Sequence, residues 1–354
     1  MSRFFSEKYN GLTPYTPGEQ PTKMKYIKLN TNESPFPPSP AAREYTEKFT
    51  RSLNLYPDPT CAELTEKIAE NCGVKAENVL LTNGSDEILN FAFMAFCDVG
   101  HPAVFADITY GFYPVFAELN SVPYTTIPLD DDFRLNPDDY CGINKTIFIA
   151  NPNAPTGRAL KPSEIEKILI SNPDHVVVID EAYVDFGGIS CVPLINKYDN
   201  LLITQTFSKS RSMAGARLGF GIACKELIED LNTVKYSTNP YNINSLTMAA
   251  ALGTLSDPDY TRQNCEYICR EREKTTESLR KLGFEVIDSE ANFVFARHPN
   301  FDGKFIYENL KAKGVLVRHF TAERIADYNR ITIGTEDQMN RLIVVLEEII
   351  GGTS

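Results

Sequence analysis

A lysine in a loop of small residues is the first candidate for chemistry in this sequence. Lys209 follows the apolar run 201–204 and lies within the segment 206–217, which is rich in serine, alanine and glycine. A lysine amine held in a fixed place at the end of a strand can form a covalent bond with a carbonyl compound. A solvated lysine at the protein surface is the commoner case, so this loop alone does not establish a site.

A carboxylate and a phenol form the second candidate group. Asp180 ends the aliphatic run 176–179, and Tyr183 follows three positions later. A carboxylate buried at that place needs a cation, and a protonated pyridine nitrogen would serve, with Tyr183 bonded to a hydroxyl oxygen on the same ring. A solvent-facing aspartate that caps the next turn is about as common for this motif taken alone.

Several residues could bind an anion at two places in the chain. The turn that begins with Gly84 leads into a helical stretch, and free backbone N–H groups at the start of a helix favour a phosphate. In the lysine loop, hydroxyl groups and one forked guanidinium could bind the same anion. A separate turn over 151–157 could direct an amide side chain at a ligand. The residues concerned are Gly84, Ser85, Asp86, Thr206, Ser208 and Arg217 for the anion and Asn153 for the amide.

Short apolar runs that alternate with helical patterns would position these residues. The runs cover 79–82, 103–105, 146–150, 176–179 and 201–204. Continuously apolar strands separated by helices predict an α/β fold with a mostly parallel sheet covered by helices on both faces. Asn153, Asp180 and Lys209 lie at or just beyond the carboxyl ends of such strands, where open α/β sheets bind their ligands.

The pattern changes near residue 240. Long amphipathic stretches at 244–255 and 258–283 precede several short strands and a final helix, which is typical of a smaller α+β domain. We therefore expect an N-terminal arm over 1–32, a large domain over 33–240 and a small domain over 241–354.

Charge and cysteine spacing exclude several classes of function. The 354 residues include 35 Lys and Arg against 47 Asp and Glu, and a net charge of −12 repels a nucleic-acid backbone. No run of about 18 apolar residues predicts a membrane span. The start of the chain lacks a signal-peptide pattern, so we expect a cytoplasmic protein. The eight cysteines and four histidines are scattered, without the spacing of a metal site.

The order of the motifs resembles that of the fold-type-I pyridoxal-5'-phosphate aminotransferases. A glycine turn, an aromatic residue, an N-P-x-x-P-T-G-like turn, a D-x-x-Y motif and an S-K-x-x-x-x-x-G-x-R motif occur in that order over 84–217. The segments 12–20 and 29–35 are similar to the arm of histidinol-phosphate aminotransferases. The resemblance therefore covers practically the whole chain.

This resemblance implies pyridoxal 5'-phosphate as cofactor and a role for each matching residue. Lys209 resembles the Schiff-base lysine, Asp180 the partner of the ring nitrogen and Tyr183 the donor to the ring hydroxyl. Tyr110 matches the tyrosine that stacks on the ring, and Tyr56 one that reaches the cofactor phosphate of a neighbouring subunit, which implies a homodimer. The matches to the phosphate-binding residues are Ser85, Asp86, Thr206, Ser208 and Arg217.

The substrate side follows from the same resemblance. Arg330 matches the arginine that binds the substrate anion, with Arg318, Tyr15 and Asn32 as further candidates. The implied substrates are histidinol phosphate or imidazole-acetol phosphate, glutamate and 2-oxoglutarate. One departure is Ala154, where the family usually has an asparagine that reaches the ring hydroxyl. Asn153 would have to substitute for it from one residue earlier.

Other activities remain open at this point. The same motifs are typical of aromatic aminotransferases and of threonine-phosphate decarboxylases of this fold. A non-catalytic regulator that binds the cofactor is the alternative of another class. It is disfavoured because no helix-turn-helix segment precedes residue 29 and the chain is acidic.

Overall fold

A computed structural model describes residues 2–9, 11–20 and 24–352. Its strands are β1 (Ile27–Lys28), β2 (Val79–Thr82), β3 (Ala103–Ala106), β4 (Tyr124–Ile127), β5 (Thr146–Ala150), β6 (Val177–Asp180), β7 (Leu201–Thr206), β8 (Gly219–Ala223), β9 (Glu285–Ile287), β10 (Phe293–Arg297), β11 (Val315–Leu316), β12 (Arg318–His319) and β13 (Asn329–Thr332). Its α-helices are α1 (Pro40–Phe49), α2 (Ala62–Cys72), α3 (Ser85–Phe96), α4 (Phe112–Leu119), α5 (Pro162–Ser171), α6 (Lys225–Thr238), α7 (Ser245–Leu255), α8 (Pro258–Lys281), α9 (Gly303–Ala312) and α10 (Glu336–Gly351).

A seven-stranded sheet forms the centre of the molecule, in the order β2-β8-β7-β6-β5-β3-β4. Its pairs are parallel except for those that β8 makes with β2 and β7. The predicted α/β architecture with a mostly parallel sheet is therefore confirmed. No helix in the described ranges is both long and apolar enough to cross a bilayer.

Both faces of this sheet are buried, which explains the unbroken aliphatic runs. On β6, Val177 and Ile179 belong to one core cluster, whereas Val178 belongs to the cluster on the other face. Helices α3, α4 and α6 cover the side of Val178, and α2, α5 and α7 contribute to the other side. When helices cover both faces of a sheet, side chains on both faces of each strand are buried, so the sequence does not alternate between apolar and polar residues.

Strand β8 was not among the predicted runs, because two glycines interrupt its apolar pattern. A Cβ on Gly219 would lie 2.3 Å from the backbone N of Ser85, and one on Gly221 would lie 2.8 Å from Ile88 Cδ1. The glycines thus allow the start of α3 to lie directly against β8. This close approach places the N-terminus of α3 beside the end of β7.

A four-stranded antiparallel sheet, β12-β13-β10-β9, forms a second core with α8, α9 and α10. The arm joins this core, because β1 pairs with β11 and Leu29 is buried there. Helix α7 instead contributes Ala251 and Leu255 to the core of the large sheet. The division at 240 and 241 remains a proposal, and we place the change from one core to the other between α7 and α8.

Candidate active site

The carboxyl ends of β5, β6 and β7 lie side by side. Ala150 is in register with Asp180, and Asp180 with Thr204. A cavity of about 370 Å³, here called the inner cavity, opens at this edge of the sheet. Its walls bring together nine of the residues singled out in the sequence, namely Ser85, Asp86, Tyr110, Asp180, Tyr183, Thr206, Ser208, Lys209 and Arg217.

Lys209 is one of the residues that line the inner cavity. Its Nζ donates to the carbonyl oxygen of Thr31 at 3.2 Å and lies 5.8 Å from the centre of the Tyr183 ring. Behind the loop, Asp185 accepts hydrogen bonds from the Ser210 hydroxyl and from Arg211 Nη1. These contacts tie the lysine loop to the segment that follows Asp180 and so help to fix the position of Lys209.

Asp180 is a buried carboxylate without a cation. It is 5% exposed, and its oxygens accept hydrogen bonds from Ala182 N at 3.2 Å, Thr204 Oγ1 at 3.2 Å and Tyr113 Oη at 3.3 Å. Burial, with a further contribution from the charge of Asp86, raises the pKa of Asp180 to about 6. Within the described ranges no lysine or arginine forms an ion pair with it. The protonated nitrogen of a pyridine ring would supply the missing positive charge.

An anion-binding corner lies at the N-terminus of α3. Gly84 precedes the helix with φ of +81°, and a Cβ there would lie 2.6 Å from Arg217 Nη2. Arg217 Nη1 lies 3.4 Å from Ser208 Oγ, which in turn accepts a hydrogen bond from Thr206 Oγ1 at 3.0 Å. A helix N-terminus, two hydroxyls and a guanidinium therefore converge, which suits a phosphate.

The side chain of Asp86 contacts two other residues of this corner. Its Oδ1 accepts a hydrogen bond from Tyr110 Oη at 2.6 Å, and its Oδ2 pairs with Arg217 Nη2 at 3.2 Å. A carboxylate repels a phosphate, so the Asp86 side chain is suited to orienting Tyr110 and Arg217, whereas its backbone N–H belongs to the helix N-terminus that favours an anion.

The Asn153 side chain, a candidate for reaching the ring hydroxyl, does not line the inner cavity. Its Nδ2 donates to the carbonyl of Ile108 at 2.9 Å and to Thr156 Oγ1 at 3.0 Å, while its Oδ1 accepts from Thr109 Oγ1 at 2.7 Å. The amide therefore joins the turn to the segment after β3, and Ala154 lines the inner cavity.

A second cavity of about 360 Å³, the outer cavity, adjoins the first. Both are lined by Thr31, Tyr110, Ala154, Tyr183 and Lys209. All four predicted substrate residues line the outer cavity, namely Tyr15, Asn32, Arg318 and Arg330.

The two arginines of the outer cavity, Arg330 and Arg318, differ in their hydrogen-bond partners. Arg330 Nη2 donates to the Asn30 carbonyl at 3.0 Å, but its shielded Nε has no partner among the described residues. Burial lowers the pKa of Arg330. Arg318 instead donates to the carbonyls of Pro17 and Thr16, at 3.4 and 3.3 Å, and so holds the arm. Arg330 therefore keeps one buried N–H without a partner among the described residues.

Two aromatic residues of the N-terminal region lie in different surroundings. The Tyr15 ring stacks on Phe112 with 4.1 Å between ring centres and closes one side of the outer cavity. Tyr56 lines neither cavity. Its side chain is 83% exposed and stacks on Tyr241 at 4.7 Å.

Sequence reasoning missed the residues that hold Asp180 and Tyr183. Tyr113 and Thr204 donate to Asp180, and Asn32, considered only as a substrate ligand, donates from Nδ2 to Tyr183 Oη at 2.9 Å. The position of Thr204 in a strand neighbouring β6 could have indicated its contact. No local signal indicates the other two, since their partners are 67 and 151 residues away.

Comparison with known proteins adds to this geometry. Residues 24–346 match the family described as aminotransferase class I and II. The chain is similar to a histidinol-phosphate aminotransferase of Brachyspira hyodysenteriae, with 47% identity over 99% of each protein. A protein of the same name from Marinomonas sp. is 48% identical over 99% of this chain and 100% of that protein.

Among solved structures, the chain is similar in fold to histidinol-phosphate aminotransferase from Sinorhizobium meliloti in complex with pyridoxal-5'-phosphate. The TM-score is 0.90 at 22% identity, over 100% of this chain and 99% of that chain. The likeness establishes a shared fold for the two chains.

Proposed function

Because this chain belongs to the family of class I and II aminotransferases, we propose that it is a pyridoxal-5'-phosphate enzyme that exchanges an amino group between histidinol phosphate and 2-oxoglutarate. The products of that exchange are imidazole-acetol phosphate and glutamate. The observation that carries the proposal is the meeting of two cavities at Lys209. One has a phosphate corner and a buried unpaired carboxylate, and the other has an arginine with a free buried donor.

The inner cavity fits the cofactor in charge and in hydrogen-bonding groups. The N-terminus of α3, Thr206, Ser208 and Arg217 would hold its phosphate. Asp180 would hold the proton of the ring nitrogen, since that proton offsets the cost of burying the carboxylate. When bound, the cofactor supplies an aldehyde and an electron-withdrawing ring that stabilises negative charge on the substrate.

Lys209 stands where the two cavities join, so its amine can serve both as the anchor and as the acid and base. The free amine would move the proton at the α-carbon of the substrate, within reach of the inner cavity. Tyr183, at the same junction, would donate its hydroxyl proton to the ring oxygen. Tyr110, fixed by Asp86, would cover the ring.

Arg330 would bind the substrate anion in both halves of the exchange. Glutamate presents a carboxylate there and histidinol phosphate a phosphate, and a planar guanidinium can bind either with two parallel hydrogen bonds. Tyr15 and Asn32 would line the space around the substrate. Arg318 is the second candidate for binding the anion, but it would first have to break its hydrogen bonds with the arm.

We also propose a homodimer. Tyr56 and its neighbours Leu53 and Leu55 are 83%, 53% and 65% exposed, and such an apolar patch is typical of a surface that binds another chain. Tyr56 does not line the cavities of its own subunit. In a dimer it would instead reach the cofactor phosphate of the partner subunit. Light scattering on the purified protein measures the assembly, and a monomer at micromolar concentration would contradict it.

The function is tested by two single turnovers. The protein is loaded with cofactor, treated with glutamate and freed of it, and then given imidazole-acetol phosphate while the cofactor spectrum is followed. We expect a spectral change in the first step and its reversal in the second, with no change in the Lys209→Ala protein.

Other outcomes separate the alternatives. Reversal by aromatic keto acids but not by imidazole-acetol phosphate would indicate an aromatic aminotransferase. Release of CO₂ from threonine phosphate would indicate a decarboxylase. A loaded protein that reacts with none of these compounds would indicate a binding protein without catalysis.

A further inference from the structure

We propose that Asn32 is a positioning residue whose amide directs the hydroxyl proton of Tyr183 into the inner cavity. The same amide ties Tyr183 to the strand that carries Arg330. This inference rests on the proposed function, because the acceptor of that proton is the cofactor ring oxygen.

Asn32 is fully engaged on both sides of its amide. Its Nδ2 donates to Tyr183 Oη at 2.9 Å, and its Oδ1 accepts from Thr332 Oγ1 at 3.0 Å. Its backbone N–H donates to Thr332 Oγ1 at 2.9 Å, and its carbonyl accepts from Asn292 Nδ2 at 3.0 Å. The residue is 1% exposed and has φ of +55°, a conformation that asparagine adopts more readily than most side chains. These hydrogen bonds fix the position of the Asn32 amide between Tyr183 and Thr332.

The network also determines which way the amide points. The Thr332 hydroxyl already accepts the backbone N–H of Asn32, so its own proton is left to donate to a side-chain oxygen. Turning the amide over would set a second N–H against that hydroxyl and leave its proton without an acceptor. The orientation with Nδ2 toward Tyr183 satisfies both the amide and the Thr332 hydroxyl, and it leaves the Tyr183 proton available to the cavity.

The Tyr183 hydroxyl is a donor to the cavity as a result. A phenol has one proton and can accept from a neighbour at the same time. Tyr183 Oη accepts from Asn32, and it makes no other hydrogen bond with the described residues. Its proton is thus free for a ligand, and the amide makes that proton a better donor because it stabilises charge on the phenol oxygen.

The hydrogen bond from Asn32 matters more because the neighbouring turn supplies no side-chain donor to the inner cavity. Ala154 lines both cavities without a polar side chain, and the Asn153 amide bonds to Ile108, Thr109 and Thr156. Tyr183 would therefore bind the ring oxygen without a side-chain donor from this turn. The strength and direction of its hydrogen bond then depend on Asn32.

Asn32 also connects the two cavities mechanically. Thr332 and Arg330 are two residues apart on β13, so their side chains point to the same face of that strand. A shift of β13 on binding a substrate anion would move Thr332, and through Asn32 it would change the hydrogen bond to Tyr183.

The test measures the absorption of the cofactor-loaded protein as a function of pH. Removing a donor from the ring oxygen makes that oxygen more basic, so the pH midpoint of the spectral change should rise. Asn32→Gly removes the amide without adding charge, and glycine accepts the positive φ. Asn32→Asp keeps the shape, but a carboxylate accepts and so draws the Tyr183 proton out of the cavity. We expect both variants to raise the midpoint by about one pH unit.

A matched set in the Tyr183→Phe background shows whether the effect passes through the phenol. If it does, Tyr183→Phe alone raises the midpoint, and adding Asn32→Gly changes it by less than about a third of a pH unit. An unchanged midpoint in Asn32→Gly, or an equal shift with and without the Tyr183 hydroxyl, would overturn the inference. If the unaltered protein forms no lysine-bound chromophore, the proposed function itself fails. If Asn32→Gly does not fold, the shift in Asn32→Asp is compared with and without the Tyr183 hydroxyl, and only the part that is lost in the Tyr183→Phe background supports the inference.

Discussion

Replacing Asp180 with asparagine should make the cofactor-free protein more stable and the loaded protein nearly inactive. The carboxylate is buried and unpaired, and burial raises its pKa from 3.8 to about 6. A rise of about two pKa units corresponds to about 3 kcal/mol of cost for the ionised form. Asparagine has nearly the same shape and carries no charge, so it removes this cost. The loss of hydrogen bonds to Thr204 or Tyr113 would reduce the gain to roughly 1–3 kcal/mol.

The sign of the effect follows from the two states of the carboxyl group. The pKa of Asp180 in the folded protein lies above that in the unfolded chain, so folding favours the protonated form. The destabilising charge is therefore fully present above pH 6 and disappears as the pH falls toward the unfolded value near 3.8. The gain in the free energy of unfolding should be largest at pH 8 and about 1.4 kcal/mol smaller at pH 5, because the cost of the lost hydrogen bonds does not change with pH.

Urea unfolding of both cofactor-free proteins at pH 8 and pH 5 measures this gain. Turnover of the loaded Asp180→Asn protein should fall by orders of magnitude, because a neutral amide does not retain the ring proton. An Asp180→Asn protein that is no more stable than the original at pH 8, or whose gain does not depend on pH, would refute the reasoning about the buried charge. Near-normal turnover would refute the role toward the ring nitrogen.

Three further substitutions test the two cavities. Lys209→Ala should abolish the lysine label that borohydride fixes, and a label on another lysine in peptide mapping would contradict the assignment. Arg330→Lys should weaken both half-reactions by about 1.5–3 kcal/mol, since the fork is lost; if single-turnover spectra show a loss with glutamate only, Arg318 or another cation binds the phosphate. Gly84→Ala should lower cofactor affinity at least about tenfold, because its Cβ would lie 2.6 Å from Arg217 Nη2. Gly73→Ala is its control in a fluorescence titration, since Gly73 also has positive φ but an added Cβ there meets no atom within 4 Å.

The fold was predictable where burial leaves a local pattern. The buried strands β2, β3, β5, β6 and β7 coincide with the predicted apolar runs, because a doubly covered strand needs apolar residues on both faces. The edge strand β4 is largely exposed and has no such pattern. Strand β8 contains the glycines that α3 requires, and that requirement comes from a helix more than a hundred residues earlier in the chain.

The candidate site was predictable as a set of residues but not as a set of contacts. The motifs indicate the edge of the sheet at which Asp180, Tyr183 and Lys209 meet. They left open whether Asn153 could replace the amide absent at Ala154, and in the structure its side chain bonds to Ile108, Thr109 and Thr156. Backbone geometry in the turn decides the direction of that side chain, and spacing along the chain does not reveal it.

The sequence by itself determined which chemical groups stand at the strand ends and in what order. Apolar periodicity and motif spacing are local properties, so they can be read without knowing the fold. Only the tertiary structure decided that Asn32 donates a hydrogen bond to Tyr183 and that Asp86 pairs with Arg217. It also decided that Arg330 Nε is buried without a partner among the described residues. The physical reason is that a hydrogen bond depends on a separation near 3 Å and on a suitable angle. Packing of residues distant in the chain sets both.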